Sequence, residues 1–335
     1  MVQSKTISAF LGVLLFFSFT SSQAQSNPAL RAKLHQLTNQ VVEQTEASIC
    51  NPNFLKSKAW KQFVKALKKA QKRVNTEAEF TQLFNAKAQS LPFSHFHLKA
   101  PKKNNNKSSS NSNPVSYSVL NDSTAFIQVR SFSGSYSEML AIVQQFKASP
   151  KAHLIIDLRN NAGGTLEPAV PLVQFLADQP INAGVFISRN WFNTHQDYPN
   201  SAELKQFKPL APLTVTAFRQ SLKSDIGCSL VLPSNNQPTF TGKLFVLANQ
   251  QTASACEPFL FLVKHYKLGT IVGEKSAGEM LSATYVDVGS GYQLFIPEAD
   301  YMTITGTRLD KRGVTPDVAI ASDQALDHVL SVLIK

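Results

Sequence analysis

Cysteine is scarce in this chain, three residues in 335, which excludes a disulfide scaffold and allows at most one bridge. Cys50 and Cys228 are the pair to test for it, with free buried thiols as the alternative, and Cys256 is expected inside a helix. Beyond the amino terminus no apolar run is long enough to span a bilayer. Met1 to Ala24 reads as a cleaved secretory leader: Lys5, an apolar run from Ala9 to Phe19, then Ser22-Gln23-Ala24 as a small-x-small cleavage site. No cysteine stands at that point, which argues against a lipoprotein anchor. The expected location is periplasmic or extracellular. Acidic residues are outnumbered, 22 against 33 Lys and Arg, giving a net charge of +11. Much of the excess, Lys56 to Arg73, falls on one helix whose other face is Trp60, Phe63, Val64 and Leu67. That is a solvated basic face, and without a nucleic-acid motif no nucleic-acid partner is expected. No internal repeat and no adenine-binding site are evident.

What is present is a series of short motifs. Leu244-Phe245-Val246-Leu247-Ala248 reads as a strand, and Thr252-Ala253-Ser254-Ala255-Cys256-Glu257 opens a helix behind it. A serine at such a turn lies beside the free N–H groups of a helix start. Ser254-x-x-Glu257 is equally a capping box, which requires no chemistry. Upstream, His153 to Leu158 is a buried strand followed by Arg159-Asn160-Asn161-Ala162-Gly163-Gly164-Thr165. The glycine pair allows close backbone approach, and its N–H groups suit an anion or a developing oxyanion. A plain strand–loop–helix turn is the alternative there. Leu91-Pro92-Phe93-Ser94-His95-Phe96-His97-Leu98 reads as a short apolar strand with both histidines on one face. His-x-His suggests a metal pair, but no third ligand follows at a recognisable spacing, so neither metal nor cofactor is expected. Last, Leu309-Asp310-Lys311-Arg312-Gly313-Val314-Thr315-Pro316-Asp317 is a turn headed by a carboxylate.

These segments, together with Val272-Gly273-Glu274-Lys275-Ser276-Ala277-Gly278, resemble in order the motifs of the C-terminal processing peptidases, the tail-specific serine peptidases, and their tricorn core protease relatives. The resemblance covers roughly residues 91 to 320. It implies an α/β fold, the ClpP/crotonase-like spiral of parallel strands and helices, with a small helical domain before it. The processing-peptidase branch places a lysine general base after the last glycine of the Val272–Gly278 motif, where this chain has Glu279; Lys275 is expected to be solvated. The tricorn-like branch uses a Ser-His pair with a distant carboxylate, which Ser94-His95 and Asp310 match. The resemblance thus implies Ser254 as nucleophile, His95 as base with His97 as rival, Asp310 as orienting carboxylate and Ser94 as support. Gly163 or Gly164, with Ala255, would form the oxyanion hole. An unperturbed histidine titrates near pH ~6.5, so activity is expected to fall below it.

The expected organisation is a leader over 1–24, helices over 25–90 and a peptidase-like core over 91–335. Residues 102–113, rich in Lys, Asn and Ser, read as a mobile loop. The stretch from Leu98 to Ser123 is too short for the PDZ module that processing peptidases commonly insert there. From Ser123, strands alternate with helices, predicting parallel strands joined by crossovers. Residues 183–242 break this alternation and read as an insertion near the cleft, and Val286 to Thr307 as an antiparallel hairpin. A serine peptidase acting on peptides or proteins is the expected function. A non-catalytic peptide- or lipid-binding protein of the same fold is the alternative, and an acyl-CoA enzyme disagrees with the export signal.

Overall fold

The computed structural model describes residues 27–101, 113–234, 237 and 239–334. The expected leader, and all but the last residue of the 102–113 loop, lie outside the described residues. Three helices come first: α1 (Pro28–Ser48), α2 (Lys58–Ala70) and α3 (Glu77–Ala88). Each begins at a side-chain cap. Asn27, Ser57 and Thr76 accept from the N–H groups of Leu30, Trp60 and Glu79, satisfying donors the first turn leaves free. On α2 the lysines face solvent, while Trp60, Phe63 and Leu67 are buried. Phe63, Phe84, Phe93 and Phe96 meet at ring separations of 5.1–5.8 Å, edge-to-face or stacked as aromatic quadrupoles favour.

Two sheets follow. The six-stranded sheet has the order β11-β8-β7-β4-β3-β2. Its strands are β2 (Val115–Asn121), β3 (Thr124–Val129), β4 (His153–Asp157), β7 (Lys243–Ala248), β8 (Thr270–Gly273) and β11 (Val318–Ala319). All neighbours pair in parallel except β2 with β3. The strands read as continuous apolar runs because both faces are covered. Leu154, Ile156, Leu244 and Val246 join a core with α4 (Tyr136–Ala148), α5 (Ala169–Leu176) and α8 (Cys256–His265). Ile155, Phe245 and Leu247 point the other way, toward α9 (Ala325–His328).

The second sheet is antiparallel. β1 (His97–Lys99), β10 (Gln293–Met302), β5 (Ile181–Ile187) and β6 (Gly227–Leu232) lie side by side, and β9 (Leu281–Asp287) also pairs with β10. The β9–β10 hairpin shares one apolar cluster with α1–α3, contributed by Leu281, Val288, Tyr292, Leu294 and Ile296. Residues 183–242, expected as an insertion, hold most of β5, all of β6, and the helices α6 (Arg189–Thr194) and α7 (Val215–Ser224).

The Leu91–Leu98 strand requires correction. Pairing begins only at His97, and His95 lies in a bend with φ +55°. Leu91, Phe93 and Phe96 are apolar because they enter the aromatic cluster, not because they alternate across a sheet. His95 and His97 therefore do not share a strand face. The Cys50–Cys228 bridge is also absent, since all three cysteines are free and buried. Cys50 donates its N–H to the carbonyl of Pro297, whereas Cys228 lies on β6 opposite Phe186. Among the described residues no helix is long and apolar enough to cross a membrane.

Candidate active site

Ser254 occupies the turn between β7 and α8, with φ +55°. A side chain pays for that left-handed backbone only where its surroundings over-determine it. They do so here. Thr252 bonds through its hydroxyl to the Leu158 carbonyl, Ala253 donates its N–H to the Asn161 carbonyl, and Ser254 donates its N–H to the Glu279 carbonyl at 3.1 Å. The capping-box reading fails: α8 has Ala255 at its N-cap and no side-chain cap bond. Glu257 accepts from the Ser276 hydroxyl at 2.6 Å and from the Gly278 and Glu279 N–H groups at 2.8 and 2.9 Å. The Ser254 side chain instead faces a cavity of about 240 Å³ that His95, Gly164 and Ala255 also line.

The glycine pair is fixed by Asn161, part of the motif in the sequence but given no role there. Its amide donates to the Val129 carbonyl and its Oδ1 accepts the Gly163 N–H at 2.8 Å. Phe132 closes the turn from the other side, donating to the Gly163 carbonyl and accepting from the Thr165 N–H. Gly163 is thus occupied as a donor. Among the described residues, the N–H groups of Gly164 and Ala255 have no hydrogen-bond acceptor, and both residues line the cavity. A Cβ on Gly163 would come within 2.5 Å of the Ser254 Cβ, and one on Gly164 within 2.3 Å of the Phe132 backbone.

His95 reaches Asp310 through Ser94. The Ser94 hydroxyl lies 2.8 Å from His95 Nδ1 and donates to Asp310 Oδ1 at 2.5 Å. A hydroxyl has one proton, and it goes to the carboxylate, so Nδ1 carries the proton of the imidazole and donates to Ser94 Oγ. His95 Nε2 is then the unprotonated nitrogen. Asp310 also accepts the Ser94 N–H at 3.2 Å. His97 packs on Phe295, whose ring His95 also approaches, and on Tyr285, with Nε2 3.5 Å from the tyrosine hydroxyl. Lys275 is exposed, and so is Glu279.

Asp310 is itself held by groups that no local motif announced. Arg308 donates from Nη2 to Asp310 Oδ2 at 2.7 Å and from Nε to both oxygens of Asp300 at 2.9–3.0 Å. Asp300 accepts the Tyr198 hydroxyl at 2.7 Å. Both carboxylates are buried, and the guanidinium lies over the rings of Phe54 and Tyr198. One shared cation between two buried carboxylates satisfies what would otherwise be costly isolated charges. The Arg-x-Asp spacing at 308–310 was the only sequence trace of this pair.

The sequence profile of Peptidase family S41 matches residues 123–320, leaving the Ser94-His95 segment outside the matched stretch. The chain is 27% identical over 169 residues to the chloroplastic C-terminal processing peptidase of Tetradesmus obliquus, covering 50% of this chain and 29% of that protein. It is 26% identical over 199 residues to the carboxyl-terminal-processing protease of Synechocystis, covering 59% and 38%. The chain thus spans well under half the length of these curated relatives. A crystal structure of a candidate peptidase from Parabacteroides merdae superimposes with a TM-score of 0.63 at 14% identity, over 93% of this chain and 98% of that one. With the family profile matched across more than half its length, the chain belongs to Peptidase family S41.

Proposed function

We propose that this protein is a secreted or periplasmic serine peptidase that hydrolyses peptide bonds with Ser254 as nucleophile and His95 as general base. In this reading Ser254 Oγ attacks the amide carbonyl carbon while its proton passes to His95 Nε2. The imidazolium so formed is stabilised through Ser94 by the Asp310 carboxylate, and the Nδ1–H bond to Ser94 fixes the tautomer. The carbonyl oxygen becomes an oxyanion received by the N–H groups of Gly164 and Ala255. Collapse breaks the C–N bond, the amine leaves with the proton from His95, and water hydrolyses the acyl-serine by the same steps. The carrying observation is that His95, Ser254 and the two unspent N–H donors line one cavity. The parallel order β3-β4-β7-β8-β11 supports the spiral of the ClpP/crotonase fold as its frame. Neither a PDZ module nor a metal takes part in this reading.

A fluorophosphonate probe tests it. The wild-type protein should be labelled, Ser254→Ala should not, and His95→Ala should lose labelling where His97→Ala keeps it. A folded wild-type protein that takes no label would sink the peptidase reading and favour a binding protein of the same fold. Loss of label in His97→Ala alone would reverse the choice of base.

A further inference from the structure

We infer that the cavity beside Ser254 receives a bulky apolar side chain, that of the residue whose carbonyl is attacked, so that cleavage follows phenylalanine, tyrosine, leucine or methionine. This deepens the peptidase reading and rests on it. From the mouth at Ser254 the cavity is walled by Val170 of α5, Phe186 of β5, Leu230 of β6, Met280, and Leu213 and Phe218 at α7. Val170, Phe186, Leu230 and Met280 are buried. Phe186 and Phe218 meet edge-to-face at 4.9 Å, which fixes the wall shape. Of the charged residues on the lining, Glu167 and Arg219 are exposed, and the half-buried Glu298 accepts the Ser282 hydroxyl. A charged side chain entering the cavity would therefore lose water without meeting a buried counter-charge.

Size and position agree. An engineered apolar cavity of about 150 Å³ admits benzene, so about 240 Å³ accommodates a phenyl or phenol group. The residue under attack carries both the carbonyl oxygen and the side chain nearest to it. The donor Gly164 runs directly into Thr165, Leu166 and Val170, all on the cavity lining. An oxygen placed at the Gly164 N–H therefore sets that residue's side chain against this wall. Much of the wall comes from residues 210–230, so selectivity is a property of that segment rather than of the catalytic turn.

Peptides differing only at this residue provide the test. With the full chain, kcat/KM for phenylalanine should exceed that for aspartate or lysine by roughly 10- to 100-fold, the range that burial of one large apolar side chain supplies. Leu213→Trp, at a half-buried position, should abolish the preference for phenylalanine over alanine. In parallel, indole is titrated into Ser254→Ala and followed by NMR, which reads the cavity without turnover. Cleavage at equal rates after phenylalanine, alanine and aspartate would overturn the subsite and leave the peptidase reading standing. Indole binding without any cleavage by the wild type would support an apolar receptor and overturn the peptidase reading. Indole that does not bind overturns the subsite by itself.

Discussion

Burial lowers the His95 imidazole to about 4, against the Asp310 charge, which favours the protonated form. The acid limb of activity is therefore expected near pH 4, not at the ~6.5 of an unperturbed histidine. The sign follows from the proposed base role: a depressed pKa keeps Nε2 unprotonated further into acid. Asp310→Asn removes the charge that opposes burial, so its acid limb should move lower still while the rate falls on the order of 10²–10⁴-fold. A pH–rate profile of kcat/KM on the two proteins checks both; a limb fixed at 6.5 in each would contradict this environment. Gly163 provides a second single-residue test. Its φ is +98° and an added Cβ meets the Ser254 Cβ at 2.5 Å, so Gly163→Ala displaces Ser254, the proposed nucleophile. Labelling by fluorophosphonate should slow by about 10²-fold or more, with circular dichroism unchanged.

At the scale of elements, the turn before α8 depends on Glu257. Burial pushes its carboxyl up to about 7, against the lowering effect of bonds from the Ser276 hydroxyl and from the Gly278, Glu279 and Ser254 backbone. Glu257→Ala leaves the Ser276, Gly278 and Glu279 donors without their acceptor and should cost about 3 kcal/mol in urea unfolding. Because the folded-state pKa is raised, the wild type loses stability as pH rises from about 4.5 to about 7, and the variant should lack this component of the slope. The same element shows how far sequence reasoning reaches. Strands β4 and β7 and the opening of α8 were legible within a few residues, since each is a continuous apolar run or a helical stripe beside turn residues. Ser254-x-x-Glu257 also matched a local capping pattern, but donors some 20 residues downstream captured the glutamate. The His95 segment was misread as a strand because core burial and strand pairing leave the same apolar signature. Arg308, Asp300 and Tyr198 were illegible for a further reason: their partnership exists only once the hairpin and the 183–242 segment meet.

Over the whole molecule, the Arg308 cluster ties distant parts of the chain together. Phe54 comes from the helical region, Tyr198 from between β5 and β6, Asp300 from the hairpin, and Asp310 leads through Ser94 to His95. Arg189 adds a second tie, donating to the carbonyls of Ile49 and Glu46 at the end of α1. Arg308→Met strands two buried carboxylates and should cost about 3–5 kcal/mol, whereas Tyr198→Phe removes one hydrogen bond and should cost about 1 kcal/mol. Urea denaturation of both variants checks this order, and equal losses would refute it. The route from Asp310 to His95 carries a consequence for biogenesis. Ribosomes deliver the imidazole long before the hydroxyl, and the carboxylate that steadies the imidazole arrives later still. On the proposed reading, a nascent or half-collapsed polypeptide that lacks a docked Asp310 holds no complete set of Ser254, His95 and carboxylate.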